Sequence, residues 1–112
     1  MKRGEIYFAD LSPTQGSEIN KRRPVLIVSN DANNRAANTI TVLPITSNTA
    51  RVYPFEVLLP AKKSGLAKDS KALAQQIRTL SKERILSPRA GTLDAKLMQA
   101  VDSAIKLHLA LP

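Results

Sequence analysis

The sequence predicts a small, twisted antiparallel β-sheet or partly open barrel with one helix packed against it at the C-terminus. Three observations lead there. Short apolar runs rich in β-branched residues recur between Gly4 and Thr79 and stop at small polar residues, the pattern of buried strands ending in loops. One stretch, Asp94 to Leu109, repeats apolar residues at helical spacing. No unit of about 30 residues runs strand, helix, strand, which argues against a parallel doubly wound sheet. With 112 residues the chain reads as one domain over 1–112.

Taken in order, Gly4 to Ala9 predicts a first strand, with Ile6 and Phe8 alternating with Glu5 and Tyr7. Asp10-Leu11-Ser12-Pro13 opens a loop. Thr14 to Arg22 continues it and is long for a hairpin connection, a common sign of a functional loop. It ends in Lys21-Arg22-Arg23, which reads either as a phosphodiester clamp or as a solvated charge run. Pro24 to Val28 is the second strand, where a leading proline gives up no needed ladder donor. Ala32 to Asn38 reads as a polar loop or a single helical turn. Thr39 to Ile45 is the third strand, and Pro44 late in it points to an edge or a bend rather than mid-sheet.

Tyr53 to Leu58 predicts a fourth strand, at an edge because of Pro54. Pro60 to Ser70 is a basic turn region, and Lys71 to Thr79 a fifth strand bent near Gln75-Gln76. Ser81 suits the N-cap of a short helical turn through Ile85, with Glu83 in its first turn. Leu86 to Gly91 is a short extended piece. In the terminal helix Leu97, Val101, Ile105 and Leu109 form an apolar stripe that Met98 and Ala104 widen, with Thr92 or Asp94 as cap. His108 falls at the end of that helix, where a cation is favourably placed, and reads as that rather than as a catalyst.

Composition narrows the function. Seventeen Lys and Arg against nine Asp and Glu give a net charge of +8, a surface that attracts polyanions. There is no cysteine, so disulfides, thiolate zinc sites and cysteine nucleophiles are excluded. The N-terminus lacks an apolar signal core, and no run approaches the roughly 20 residues that span a bilayer. The expectation is a cytoplasmic protein with no membrane partner. One histidine and scattered carboxylates give no metal-ligand spacing, and there is no Gly-rich phosphate loop or nucleophile elbow. No cofactor is expected.

RNA cleavage needs little of what is missing. The 2′-hydroxyl is an internal nucleophile, so the protein has to orient it, stabilise charge on phosphorus and manage two protons. A guanidinium grips two phosphate oxygens and stays charged, and a hydroxyl adds a donor. Arg23, at the head of the second strand, and Thr46, at the far end of the third, suit these tasks. Their bland readings are an arginine at a strand edge in solvent and a threonine bonded to its own turn. Ser47 and Asn48, just after Thr46, are further candidate RNA contacts. Glu18 is the carboxylate nearest Arg23 in sequence and a candidate base.

Several blocks together are similar to the MazF/PemK toxins, the ribosome-independent endoribonucleases of toxin–antitoxin pairs. They are Lys2-Arg3-Gly4-Glu5-Ile6-Tyr7, Asp10-Leu11, Gly16-Ser17-Glu18, Arg22 to Val28, Ile45-Thr46-Ser47-Asn48 and Gln76-Ile77-Arg78-Thr79, in the family's order over nearly the whole chain. The resemblance implies an SH3-like barrel of the CcdB/PemK type with a C-terminal helix, forming a homodimer. It implies metal-independent, sequence-specific cleavage of single-stranded RNA, leaving 2′,3′-cyclic phosphate and 5′-hydroxyl ends. Arg23 and Thr46 match the family's catalytic arginine and threonine. Glu18, Gln76 and Arg78 match positions near the RNA groove, which Lys21 and Arg22 would extend. The implied partner is an antitoxin whose acidic, disordered tail covers the same basic groove. One position departs: some relatives carry an acidic residue, in certain branches the general base, where this chain has Gln75. An amide cannot take that proton, which leaves Glu18, water or substrate as acceptor. The rivals are a gyrase-poisoning toxin of the CcdB type, disfavoured by the absence of Trp, and a non-catalytic RNA-binding barrel, for which two Tyr and two Phe make a thin stacking platform.

Overall fold

The apolar runs become strands, and one of them organises the rest. The computed structural model describes residues 1–13, 15–16 and 21–112. In chain order it contains β1 (Glu5–Asp10), β2 (Arg22–Ile27), helix α1 (Asp31–Ala36), β3 (Thr39–Thr46), β4 (Glu56–Leu59), a single turn of helix α2 (Ala61–Ser64), β5 (Ser70–Leu73), β6 (Arg78–Ser81), β7 (Gly91–Thr92) and helix α3 (Ala95–Leu109). Every strand pair is antiparallel, in the order β4-β5-β3-β2-β1-β7. β6 stands off this path and pairs with β3. This is the predicted fold class: a curved antiparallel sheet, mostly β, closed on one side by a C-terminal helix.

β3 explains the curvature. On one side it pairs with β2. On the other, residues 39–42 pair with β6 and residues 45–46 with β5. The sheet therefore divides along β3. Pro44 falls in the gap between the two partners, where a missing N–H breaks no ladder. The expectation of an edge or a bend rather than mid-sheet is corrected: β3 has neighbours on both sides, and Pro44 pairs with Val25 inside the sheet.

Other boundaries move for local reasons. The single bent strand expected over Lys71 to Thr79 is two strands, β5 and β6, separated by a 3₁₀ turn at Ala74–Gln76. The expected fourth strand starts at Glu56 rather than Tyr53, because Tyr53 to Glu56 form a turn closed by the Glu56 N–H on the Tyr53 carbonyl (2.8 Å). β4 does lie at a sheet edge. The extended piece from Leu86 runs beside β1, its Leu86 and Ala90 N–H groups donating to Phe8 and Ile6 carbonyls, but only β7 pairs as a strand. Ser81 caps the 3₁₀ turn Lys82–Arg84 by accepting from the Glu83 N–H.

Alternation sorts the core into two clusters. Leu26, Leu43 and Ile45 face Val57, Leu59, Ala72 and, from α3, Val101 and Ala104. Val25, Ile27, Ile40, Val42 and Leu80 pack together on the other face with Ala9 and Leu11. β2 is thus buried on both sides, which is why its run is continuously apolar. The Asp94 carboxylate caps α3 by accepting from the Leu97 N–H (2.8 Å), a bond worth about 1 kcal/mol. The helical stripe is buried at Val101 and Ala104 and gives out at Leu109, which is exposed. Among the described residues no helix is long and apolar enough to cross a membrane.

One close contact shapes the site's wall. Gly65 ends α2 with a left-handed backbone (φ +80°) and lies against Gly91. A Cβ at Gly91 would overlap the Ser64 carbonyl oxygen, and one at Gly65 would come within 2.8 Å of the Ala90 carbonyl. Glycine at both positions lets α2 seat against β7 and directs Leu66 to Lys68 toward the start of β2.

Candidate active site

The register between β2 and β3 pairs Val25 with Pro44, Leu26 with Leu43 and Ile27 with Val42. The paired segment ends at Val25 and Pro44, two residues short of Arg23 on β2 and of Thr46 on β3, which lie at the same end of the pair. Both are half-buried, at the rim of the sheet. Beside them is a cavity of about 180 Å³ lined by Arg23, Pro24, Ser47, Lys68 and Ser70, with Phe8 at its edge. Arg23, a hydroxyl-bearing loop and a second cation, Lys68, therefore converge on one small opening. A larger cavity, about 630 Å³, lies between α1 and α3 around Arg3 and Asp102 and is lined by none of the candidate catalytic or RNA-binding residues.

The Thr46 hydroxyl oxygen accepts from the Asn48 N–H (3.2 Å), the turn-type bond that was its bland reading. That bond does not disqualify it as a donor. It occupies an oxygen lone pair and leaves the hydroxyl's own proton to be given. The Asn48 side-chain carbonyl in turn accepts from the Ala50 N–H (3.3 Å), so the loop after β3 is internally bonded.

The other predicted residues divide into groups. Arg22 starts β2 with its guanidinium 5.0 Å from the Phe8 ring centre. Lys21 is exposed with φ +66°, and its backbone closes the loop stem on Leu11 and Ser12. Arg78 stands on β6 opposite Val42, four residues along β3 from Thr46, or about 13 Å at the usual strand rise. Its guanidinium donates to the Leu11 carbonyl (3.3 Å), joining β6 to the stem after β1. Gln76 ends the 3₁₀ turn after β5 and is half-buried. Glu18 lies outside the described residues.

Gln75, the position of departure, is not idle. Its amide donates to Glu56 (2.6 Å), whose other oxygen accepts from Lys71 (2.9 Å) and from the Tyr53 N–H (3.0 Å). Burial pushes the Glu56 carboxyl upward, but the Lys71 and Tyr53 hydrogen bonds, the Gln75 amide and the Lys71 charge outweigh it and hold the pKa below the ordinary value. Neither Glu56 nor Lys71 was singled out from sequence. The available signal was a pair of opposite charges inside the apolar runs of neighbouring strands.

Comparison with known proteins decides the family. A family model described as PemK-like, MazF-like toxin of type II toxin–antitoxin system matches residues 2–109. The chain belongs to this family. Among PemK/MazF relatives it is 50% identical over 116 residues to endoribonuclease MazF9 of Mycobacterium tuberculosis, covering 99% of this chain and 98% of that protein. It is 44% identical to endoribonuclease EndoA of Bacillus subtilis, covering 99% and 96%. Among solved structures, MazF from Deinococcus radiodurans superposes with a TM-score of 0.85 at 27% identity, covering 99% of this chain and 97% of that one. A mycobacterial endoribonuclease in complex with its cognate antitoxin gives 0.83 at 27% identity, covering 100% and 97%.

Proposed function

We propose that this PemK/MazF chain is the toxin of a toxin–antitoxin pair and a sequence-specific endoribonuclease that cuts single-stranded RNA without a metal. The ribose 2′-oxygen attacks the adjacent phosphorus as the bond to the 5′-oxygen breaks; the 2′-hydroxyl gives its proton to Glu18, water or the substrate and the 5′-oxygen takes one up, giving 2′,3′-cyclic phosphate and 5′-hydroxyl ends. The observation that supports this reading is the cavity that Arg23 shares with Ser47, the residue after Thr46, at the end of the β2–β3 pair. Arg23 neutralises the charge that builds on the phosphate oxygens. Thr46, its oxygen already engaged by the Asn48 N–H, donates its proton to the same group. Gln75 cannot serve as base, and its amide is committed to Glu56.

Lys21, Arg22, Ser47, Asn48, Gln76 and Arg78, with Glu18, contact RNA on either side of the scissile phosphate. The partner is an antitoxin with an acidic tail, a reading supported by the +8 charge and by the antitoxin complex of the mycobacterial neighbour. The protein acts in the cytoplasm, as a homodimer of one-domain chains.

The test is incubation of purified protein with a long unstructured RNA in excess EDTA, with both new ends mapped. Discrete cuts with cyclic-phosphate ends are expected, and Arg23→Ala should lower the rate roughly 100-fold or more. Intact RNA, or a folded Arg23→Ala protein of undiminished rate, would overturn the reading.

A further inference from the structure

Thr46 has a neighbour across the sheet. On its outer side β3 pairs with β5, and the residue directly opposite Thr46 is Lys71. Opposed residues of an antiparallel pair share a face with Cβ atoms about 4.5–5.5 Å apart. Lys71 is 9% exposed, unusual for a lysine, and its ammonium makes two hydrogen bonds. It donates to Glu56 (2.9 Å) and to the Arg51 carbonyl (2.6 Å). Its ammonium also lies 6.0 Å from the centre of the Tyr53 ring, which stacks on Phe55.

The Arg51 bond matters most. The loop from Thr46 to Arg51 enters at a residue whose backbone pairs with Lys71 and leaves at a residue whose carbonyl binds the Lys71 side chain. One residue of β5 thus grips both ends of the loop. Two residues further on, the Tyr53 N–H is held by the carboxylate that holds Lys71. Between the ends, the loop's own bonds run from the Asn48 N–H to Thr46 and from the Ala50 N–H to Asn48. Releasing Arg51 frees the segment whose bonding orients the Thr46 hydroxyl.

We infer that Lys71 is a positioning residue for the reaction: held by Glu56, it staples the Thr46–Arg51 loop shut through the Arg51 carbonyl and so fixes the direction in which Thr46 donates. The inference rests on the proposed role of Thr46. It makes Lys71 a group that never touches RNA and still governs the rate.

Lys71→Ala alone leaves an uncompensated buried carboxylate and invites unfolding. The informative protein is the double variant Glu56→Gln, Lys71→Met. There the introduced amide still accepts from the Tyr53 N–H, and its NH₂ can donate to the Gln75 carbonyl oxygen once that amide turns over. In the present structure that oxygen is buried with no partner. The bond to Arg51 is the one without a replacement.

Single-turnover cleavage should be measured on an RNA carrying the motif the wild type cuts. Affinity should be measured on the same RNA with a 2′-deoxy sugar at the attacking position, and amide hydrogen exchange on the free protein. With a thermal midpoint near wild type, the rate is expected to fall roughly 10- to 100-fold, the cost of a misplaced catalytic group. The affinity is expected to stay within about twofold, and the Asn48 and Ala50 amides to exchange faster. An unchanged rate overturns the inference, as does affinity falling in step with rate, or exchange at Asn48 and Ala50 like the wild type's. A wild-type protein that cuts no RNA removes the reading beneath it, and the exchange rates then decide on their own whether Lys71 closes the loop.

Discussion

The turns Lys2-Arg3-Gly4-Glu5 and Tyr53-Pro54-Phe55-Glu56 each open a strand with a buried glutamate, and each closes on itself in the same way. The glutamate N–H donates to the carbonyl three residues back, at 3.1 Å for Glu5 and 2.8 Å for Glu56. The N–H of that earlier residue donates to the glutamate carboxylate, at 2.8 Å and 3.0 Å. Beyond the turn the two part company. Glu5 takes the Tyr7 hydroxyl (2.7 Å) and an arginine, Arg89, whose side chain is 59% exposed. Glu56 takes Gln75 and Lys71, whose side chain is 11% exposed and continues to Arg51. The glutamate's outer bond ends at an exposed arginine at the first strand and runs on into a loop at the fourth. What makes the difference is a partner that is itself buried and has a second obligation.

The comparison can be broken most sharply at Lys71. Lys71→Met should cost roughly 3–5 kcal/mol in urea unfolding, because it strands the Glu56 charge in the interior; a loss under 1 kcal/mol would mean that water reaches Glu56 readily. Tyr7→Phe should cost roughly 1–2 kcal/mol by removing a hydroxyl that donates to a carboxylate. It also has a pH signature. Burial, the bond to Glu5 and the Glu5 charge push the Tyr7 hydroxyl from 10.0 up to about 12. A raised pKa means that its contribution is complete below the unfolded value near 10 and is lost as pH rises through about 12. The wild type should therefore lose stability across that window more steeply than Tyr7→Phe, as urea midpoints at increasing pH would register. Smallest is Arg89→Met, at most about 1 kcal/mol, since an exposed partner is screened by solvent. Should it rival Lys71→Met, the distinction between the two turns collapses. At the acid end the two glutamates behave alike. Both pKa values lie below the ordinary 4.5, so what they contribute is present above it and drains away as pH falls further.

What sequence reveals here follows the range of the interaction. Strands β1, β2 and β3 and helix α3 were legible because alternation, β-branching and helical spacing are written within a few residues. The break between β5 and β6 was visible only as a bend at Gln75-Gln76. That the two halves share one partner is a fact about β3, some 30 residues away in sequence and unreadable from the bend itself. Arg23 and Thr46 could be singled out by chemistry and by resemblance, yet that they leave the same end of the β2–β3 pair depends on register, with Val25 against Pro44, Leu26 against Leu43 and Ile27 against Val42. Lys71 and Glu56 were missed because a charged residue in a short strand looks like the solvent-facing half of an alternation. Only β4 and β5 side by side, with the Tyr53 turn over them, show that face to be covered.

The segment that runs beside β1 has a consequence in time. Residues 86–93 supply the N–H groups that meet the carbonyls of Phe8, Ile6 and Gly4, and Arg3 pairs with Asp102 near the middle of α3. A chain emerging from the ribosome makes its first strand at once but leaves that strand's outer edge bare until nearly everything else has followed. Arg23 and Thr46 are likewise made early, whereas β5, which flanks Thr46, and α3, which covers the core behind them, come late. The order of synthesis withholds a finished rim from the nascent protein until β5 and α3 have followed.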